Sequence, residues 1–285
     1  MLNTKKMKII ITGSSGFIGS YLVNRLQIHN HELMLLDMKS GINICNWEEV
    51  KSLRADVIIH LANKSYVPDS YINPKSFYDV NITGTLNMLE LCRISGAKLI
   101  YLSSYVYGHP QYQPIDESHP VQAFNPYAQT KVICEEMCNG YHRDFKVPII
   151  IFRPFNIYGK GQNEEFLIPT LINQAKTGKI EIRDDRPKRD YIHVIDVVSA
   201  IEKSITYSSQ TGFEIFNLGS GQSYSVKELV QIVTSLFDHD IDYTCLNEYR
   251  PNEVMDTVAN ISNIRKMDWK PTISLLDGLK SMISE

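Results

Sequence analysis

The chain has 285 residues, 43% apolar and 21% charged, which is ordinary globular composition and enough for one large domain or two modest ones sharing a core. Its 29 basic and 32 acidic side chains leave a formal charge of −3, and no basic block marks a nucleic-acid or anionic-membrane partner. An anion bound here must therefore be held by local groups, and no stretch approaches the ~20 apolar residues of a membrane span.

The opening MLNTKKMKIIITG sets basic residues ahead of an apolar run, but IIIT is too short for a signal core. Short apolar runs at 8–12, 33–37, 56–62, 98–104 and 148–154 read as buried strands. Helical patterns lie between them near 17–29, 75–95 and 126–144. Alternation of this kind predicts an α/β fold, a doubly wound parallel sheet covered on both faces. Asn125 and Pro126 suit the N-cap and first turn of the 126–144 helix. The second half is less regular: a helix over 166–177, a loop TGKIEIRDDRPKRD, a strand at 214–219, a helix near 225–237 and a short amphipathic helix at the end. With no repeat and no Gly/Ser linker, the halves are expected to be lobes of one unit. The cysteines, Cys45, Cys92, Cys134, Cys138 and Cys245, are odd in number and widely spaced, so reduced thiols in a cytoplasmic protein and no metal site are expected.

TGSSGFIGS, residues 12–20, joins the first strand to the first helix. Gly13, Gly16 and Gly19 let the backbone approach a ligand, and the helix N-terminus behind them suits a pyrophosphate. Asp37 ends the second strand, 18 residues after Gly19, where a carboxylate accepts from both adenosine ribose hydroxyls and repels a 2′-phosphate. NAD rather than NADP is the expected cofactor, although Lys39 stands two residues on. The alternative, a ligand-free turn, is disfavoured by the strand before, the helix after and the acid in place. Ser15, Phe17 and Ile18 complete the loop's cofactor face.

NPYAQTK, residues 125–131, puts Tyr127 and Lys131 four apart on one helix face. YLSSYVYG, residues 101–108, places hydroxyls at the carboxyl end of the fourth strand. Tyrosine and lysine are common enough that this pair alone would read as an exposed helix contact. Taken together, Gly13/Gly16/Gly19, a strand-end serine and Tyr127-x-x-x-Lys131 resemble the extended short-chain dehydrogenase/reductase family, toward its nucleotide-sugar epimerases and 4-ketoreductases. The resemblance covers nearly the whole chain: HLAN (60–63), NITGTLNML (81–89), RPFNIYGKGQ (153–162), RDYIHVIDV (189–197), FNLGSGQSYSVKEL (216–229) and RPNEV (250–254) follow in order.

It implies a Rossmann-type NAD-binding domain over 1–155, rejoined at about 189–218, and a smaller C-terminal substrate lobe over 156–188 and 219–285. Ser103, three positions before Val106, is implied to steady the reacting oxygen, leaving Ser104 as a strand-end hydroxyl on backbone. Tyr127 would exchange the proton, and Lys131 would favour its phenolate and hold the nicotinamide ribose. Leu61, Ala62, Asn63 and Pro154 fall at cofactor-side positions, and Asn43 with Ile44 where the adenine is expected. Tyr105, Asn156, Arg189 and Arg250 fall on the substrate side, the two arginines suited to a diphosphate. A homodimer through the 75–95 and 126–144 helices is also implied.

Departures narrow the activity. Ser104 and Tyr105 stand where related 4,6-dehydratases and decarboxylases carry an acid, which argues against elimination and decarboxylation. Ser65 replaces a lysine found in some epimerases and loosens the grip on cofactor. An NAD-dependent epimerase acting at a sugar carbon of a nucleoside-diphosphate sugar is the main expectation. A 4-ketoreductase of a 4-keto-6-deoxy sugar nucleotide is the second, and a non-catalytic dinucleotide sensor the third. Asp196 is expected as a helix N-cap or ion-pair member, and His60 and His193 as packed side chains.

Overall fold

The computed structural model describes residues 6–284, so the first five residues of the basic N-terminal stretch lie outside it. In chain order the elements are β1 (Lys8–Thr12), α1 (Phe17–Leu26), β2 (Glu32–Leu36), α2 (Trp47–Val50), β3 (Val57–His60), α3 (Val67–Ile72), α4 (Pro74–Ser95), β4 (Lys98–Leu102), α5 (Pro126–Phe145) and β5 (Ile149–Pro154). They continue as β6 (Asn156–Tyr158), α6 (Leu167–Lys176), β7 (Lys179–Ile182), β8 (Lys188–His193), α7 (Val194–Thr206), β9 (Phe213–Leu218), β10 (Ser223–Ser225), α8 (Val226–Thr234), β11 (Asp242–Cys245) and α9 (Leu275–Ile283). The segment read as a loop after residue 177 thus contains β7 and the start of β8; β7 alternates exposed and buried residues, unlike the continuous apolar runs of the first half.

Contacts divide the chain into two compact units: residues up to Gly108 with Pro120–Arg153 and Val198–Phe216, and His109–His119 with Pro154–Val197 and the chain from Asn217 onward. The chain rejoins the first unit at Val198 rather than at 189, because β8 pairs with β6 and β10 instead of the large sheet.

The first unit is built on a six-stranded sheet in the order β2-β1-β3-β4-β5-β9, whose first five strands pair in parallel. Ile9, Ile10 and Ile11 are all at most 1% exposed, as expected of a strand covered on both faces. The strand order reverses between β1 and β3, and open α/β sheets bind ligands at the carboxyl ends of strands beside such a reversal. Lys98, at the start of β4, donates to the carbonyls of Ser204, Ile205 and Tyr207 and so satisfies the end of α7.

The second unit carries a three-stranded sheet, β10-β8-β6, and a two-stranded one, β11-β7. Two buried carboxylates organise it. Asp190 accepts from Ser220 N at 2.6 Å, Ser220 Oγ at 2.7 Å, and Gly221 N and Ala259 N at 3.0 Å. Asp196 is not an N-cap: within the first turn of α7 it accepts from Thr272 N, Thr272 Oγ1 and Ile273 N, tying down the chain ahead of α9.

Asp190→Ala would leave three backbone N–H groups, that of Ala259 buried and those of Ser220 and Gly221 partly so, without this acceptor. It is expected to lower unfolding stability by about 3 kcal/mol, measured by urea titration, and a change under about 1 kcal/mol would contradict this account.

Candidate active site

Gly13 closes the turn after β1 at φ +69°, where a Cβ would lie 2.8 Å from Ala62 N. At Gly19 a Cβ would fall 2.1 Å from Gly13 O, so α1 can lie on its own entry loop only with glycine there. Gly16 caps α1 with no side-chain hydrogen bond, and the first turn carries no acid. The helix start therefore offers its N–H groups and partial positive charge to an anion. Beside it, Asp37 Oδ2 accepts from Ser14 Oγ at 2.6 Å and Ser15 N at 2.9 Å, and Oδ1 accepts from Ser40 N at 2.8 Å. Led by the Ser14 bond, these donors hold its pKa down at about 2, so an ionised acceptor stands at the end of β2.

The other cofactor-side residues divide. Leu61 is buried, and Phe17, Ile18 and Ala62 are half-buried. Asn63 donates from Nδ2 to Leu61 O at 2.8 Å, while its buried Oδ1 has no hydrogen-bond partner among the described residues. A cradle that only glycine fits, an uncapped helix start, an ionised Asp37 and an orphaned carbonyl together fit a dinucleotide. Asn43 turns its Oδ1 back to Cys45 N at 3.0 Å, closing a local turn. The Ile44 side chain is 6% exposed and packs in the core against α4, where a Cβ on Gly84 would meet its Cδ1 at 2.7 Å.

A buried hydrogen-bond chain runs from this loop to α5. Thr12 Oγ1 accepts from Leu61 N and Ala62 N and lies 2.7 Å from His60 Nδ1. His60 Nε2 lies 3.0 Å from Thr85 Oγ1, which donates to Asn81 O at 2.6 Å. Because the Thr85 proton is committed, His60 is assigned as the neutral Nε2–H tautomer with Nδ1 accepting from Thr12. Burial, with Lys131 nearby, pushes the His60 pKa down to about 3, in keeping with that neutral form. Asn81 Nδ2 donates to Thr130 Oγ1, which donates to Tyr127 O.

α5 starts as its sequence requires: Asn125 Oδ1 accepts from Ala128 N, and Pro126 occupies the first turn. Tyr127 is half-buried, and burial pushes its phenol up to about 12, while the neighbouring Ser104 hydroxyl pulls it down. Lys131 is buried; its Nζ donates to Leu102 O at 2.8 Å and lies 4.8 Å from the Tyr101 ring centroid and 6.0 Å from that of Tyr127. Burial lowers it to about 8, with Glu135 among the groups opposing the shift. Burial thus favours the neutral phenol.

The two serines differ in their surroundings. Ser103 is 4% exposed and donates from Oγ to Glu135 Oε1 at 2.5 Å, whereas Ser104 is half-exposed and its hydroxyl lies on the Tyr127 side. Successive side chains of extended backbone point to opposite sides, so with Ser103 turned to Glu135 its neighbour Ser104 is turned the other way. The missed signal was Glu135, one turn beyond Lys131 on the same helix face. Tyr105 packs: its hydroxyl donates to Gly108 O at 2.7 Å and its ring meets Tyr107 and Phe124 edge-on.

Pro154 and three substrate-side candidates belong to the second unit. Asn156 Nδ2 donates to Asp190 O at 3.3 Å. Arg189 donates to Lys188 O at 2.8 Å, Val254 O at 2.6 Å and Glu253 Oε1 at 2.5 Å, so much of its fork is taken up within its own unit, while Arg250 is exposed. His193 is packed, its Nδ1 accepting from Ile195 N. Among the described residues no group of three or more His, Cys, Asp or Glu could hold a metal ion.

Comparison with known proteins follows the same lines. A putative UDP-glucose 4-epimerase of Methanocaldococcus jannaschii is 31% identical, over 97% of each chain. A GDP-6-deoxy-D-mannose reductase of Pseudomonas aeruginosa is 26% identical over 98% of this chain and 96% of that one. The solved structure of RMD from Pseudomonas aeruginosa complexed with NADPH superposes with a TM-score of 0.89 at 26% identity, covering 98% of both chains. Residues 9–219 match the model of the NAD dependent epimerase/dehydratase family, and the chain belongs to that family.

Proposed function

We propose that this protein is an NAD-dependent epimerase acting at C4 of a nucleoside-diphosphate sugar. The observation that carries the reading is the half-buried Tyr127 phenol, one turn from the buried Lys131 and beside Ser104, at the carboxyl end of the sheet that bears the glycine loop. The glycine loop and the α1 start would hold the pyrophosphate and Asp37 the adenosine ribose. NAD, when bound, supplies a reversible hydride acceptor at a sugar carbon. Tyr127 hands the proton to and from the sugar oxygen, Ser104 donates a hydrogen bond to that oxygen, and Lys131 sets the charge around the phenol. In the second unit Arg250 offers an exposed guanidinium suited to the diphosphate. The M. jannaschii relative, a putative UDP-glucose 4-epimerase, supports the assignment.

A second reading, a 4-ketoreductase of a keto-sugar nucleotide, is favoured by the reductase relative and by Ser65. We place the protein in the cytoplasm, in keeping with its five unpaired thiols, and among the described residues no helix is long and apolar enough to cross a membrane. We further propose a homodimer through α4 and α5, where Leu86 on α4 is 41% exposed.

Purified protein is expected to carry bound NAD and to interconvert sugar nucleotides without added NAD(P)H. Stoichiometric consumption of NAD(P)H on a keto-sugar nucleotide would assign the reductase instead. Tyr127→Phe should fold normally, as judged by circular dichroism, and lose about 10³-fold in kcat; retained turnover would sink the mechanism. Sedimentation should give twice the chain mass, with Leu86→Glu shifted to monomer, and a monomeric wild type would refute the dimer.

A further inference from the structure

Tyr127, Lys131 and Glu135 recur every four residues along α5 and share one face. Three consecutive residues at the end of β4 meet them. The Leu102 carbonyl takes Lys131 Nζ at 2.8 Å, Ser103 Oγ donates to Glu135 Oε1 at 2.5 Å, and half-exposed Ser104, next along extended backbone, is turned away from Glu135 toward the Tyr127 side. Glu135 is held from behind by Arg153 of β5, whose Nη2 donates to Oε2 at 2.6 Å and whose Nε lies 3.1 Å from both carboxylate oxygens. Arg153 Nη1 also donates to Tyr107 Oη at 3.2 Å. The two charged side chains are only 5% and 7% exposed. A carboxylate so buried needs its lone pairs filled, and the Ser103 hydroxyl supplies a donor beyond the Arg153 fork.

We infer that Glu135 is a positioning residue for this site: backed by Arg153, it draws the Ser103 hydroxyl inward and so leaves Ser104 aimed at Tyr127. The inference rests on the reading of Tyr127 and Ser104 as the proton-handling pair. A slip of the β4 end by one residue would present Ser103 to the phenol and strip Glu135 of its hydroxyl donor, and the buried carboxylate opposes that slip. Glu135 faces Lys131 as well, so the same anchor sustains the charge of the cation next to the phenol.

The test compares wild type, Ser103→Ala, Ser103→Thr, Ser104→Ala and Glu135→Gln by hydrogen exchange and steady-state kinetics. In Ser103→Ala, peptides covering 102–108 should exchange about tenfold faster. Its kcat should fall about tenfold with KM within about twofold of wild type. Ser103→Thr, which restores the hydroxyl, should recover most of both, and Ser104→Ala should lose about 10²-fold in kcat. Glu135→Gln should exceed Ser103→Ala in both readouts; should it fail to fold with Arg153 unpaired, Ser103→Ala decides alone. Unchanged protection and unchanged kcat in Ser103→Ala would overturn the inference. So would a Ser103→Ala enzyme as inactive as Tyr127→Phe beside a fully active Ser104→Ala, since the working hydroxyl would then be Ser103. A wild type inert on every sugar nucleotide would refute the proposed function, while the exchange data would still decide whether Glu135 positions the strand end.

Discussion

The seating of α5 on the carboxyl end of β4 is the constraint on which the rest of the site depends. Lys131, Glu135 and Arg153 are all buried there, and none could be left in apolar surroundings alone. Each is tolerated because another group completes it: the Leu102 carbonyl takes the ammonium, and the arginine fork and the Ser103 hydroxyl take the carboxylate. Removing one partner leaves an uncompensated buried charge, so the arrangement locks register as well as adding stability.

A similar economy appears where the glycine loop meets the rest of its unit. Thr12, His60, Thr85, Asn81 and Thr130 form a buried chain in which each hydroxyl and ring proton has one place to go. It joins the end of β1, the end of β3, α4 and α5, the elements that carry the anion-ready turn and the tyrosine. The second unit, by contrast, is organised by Asp190 and Asp196, whose carboxylates gather backbone N–H groups from segments distant in sequence. There Glu253 of RPNEV reaches back to Arg189, and one motif segment serves as the structural partner of another.

Much of the first unit is legible in the residue pattern alone. Continuous apolar runs between amphipathic stretches mark strands covered on both faces, and β1, β4, β5, α4 and α5 fall within a few residues of where those patterns place them. β7, β8, β10 and β11 are not legible, because short strands with mixed burial carry no continuous apolar signal. Ile44 shows the same limit on a single residue: its place in a motif says nothing about which way its side chain turns, and the core takes it.

By itself the sequence determined the parallel α/β class, the glycine turn with its acid at the end of β2, and the spacing that sets Tyr127 and Lys131 on one helix face. These follow from periodicity and residue chemistry within short windows. Only the tertiary structure decided that Glu135 takes the Ser103 hydroxyl, that burial surrounds the phenol and raises it, and that Arg189 is engaged by Glu253. Those outcomes depend on the phase of a strand end and on partners 32 and 64 residues away, and no local pattern carries either.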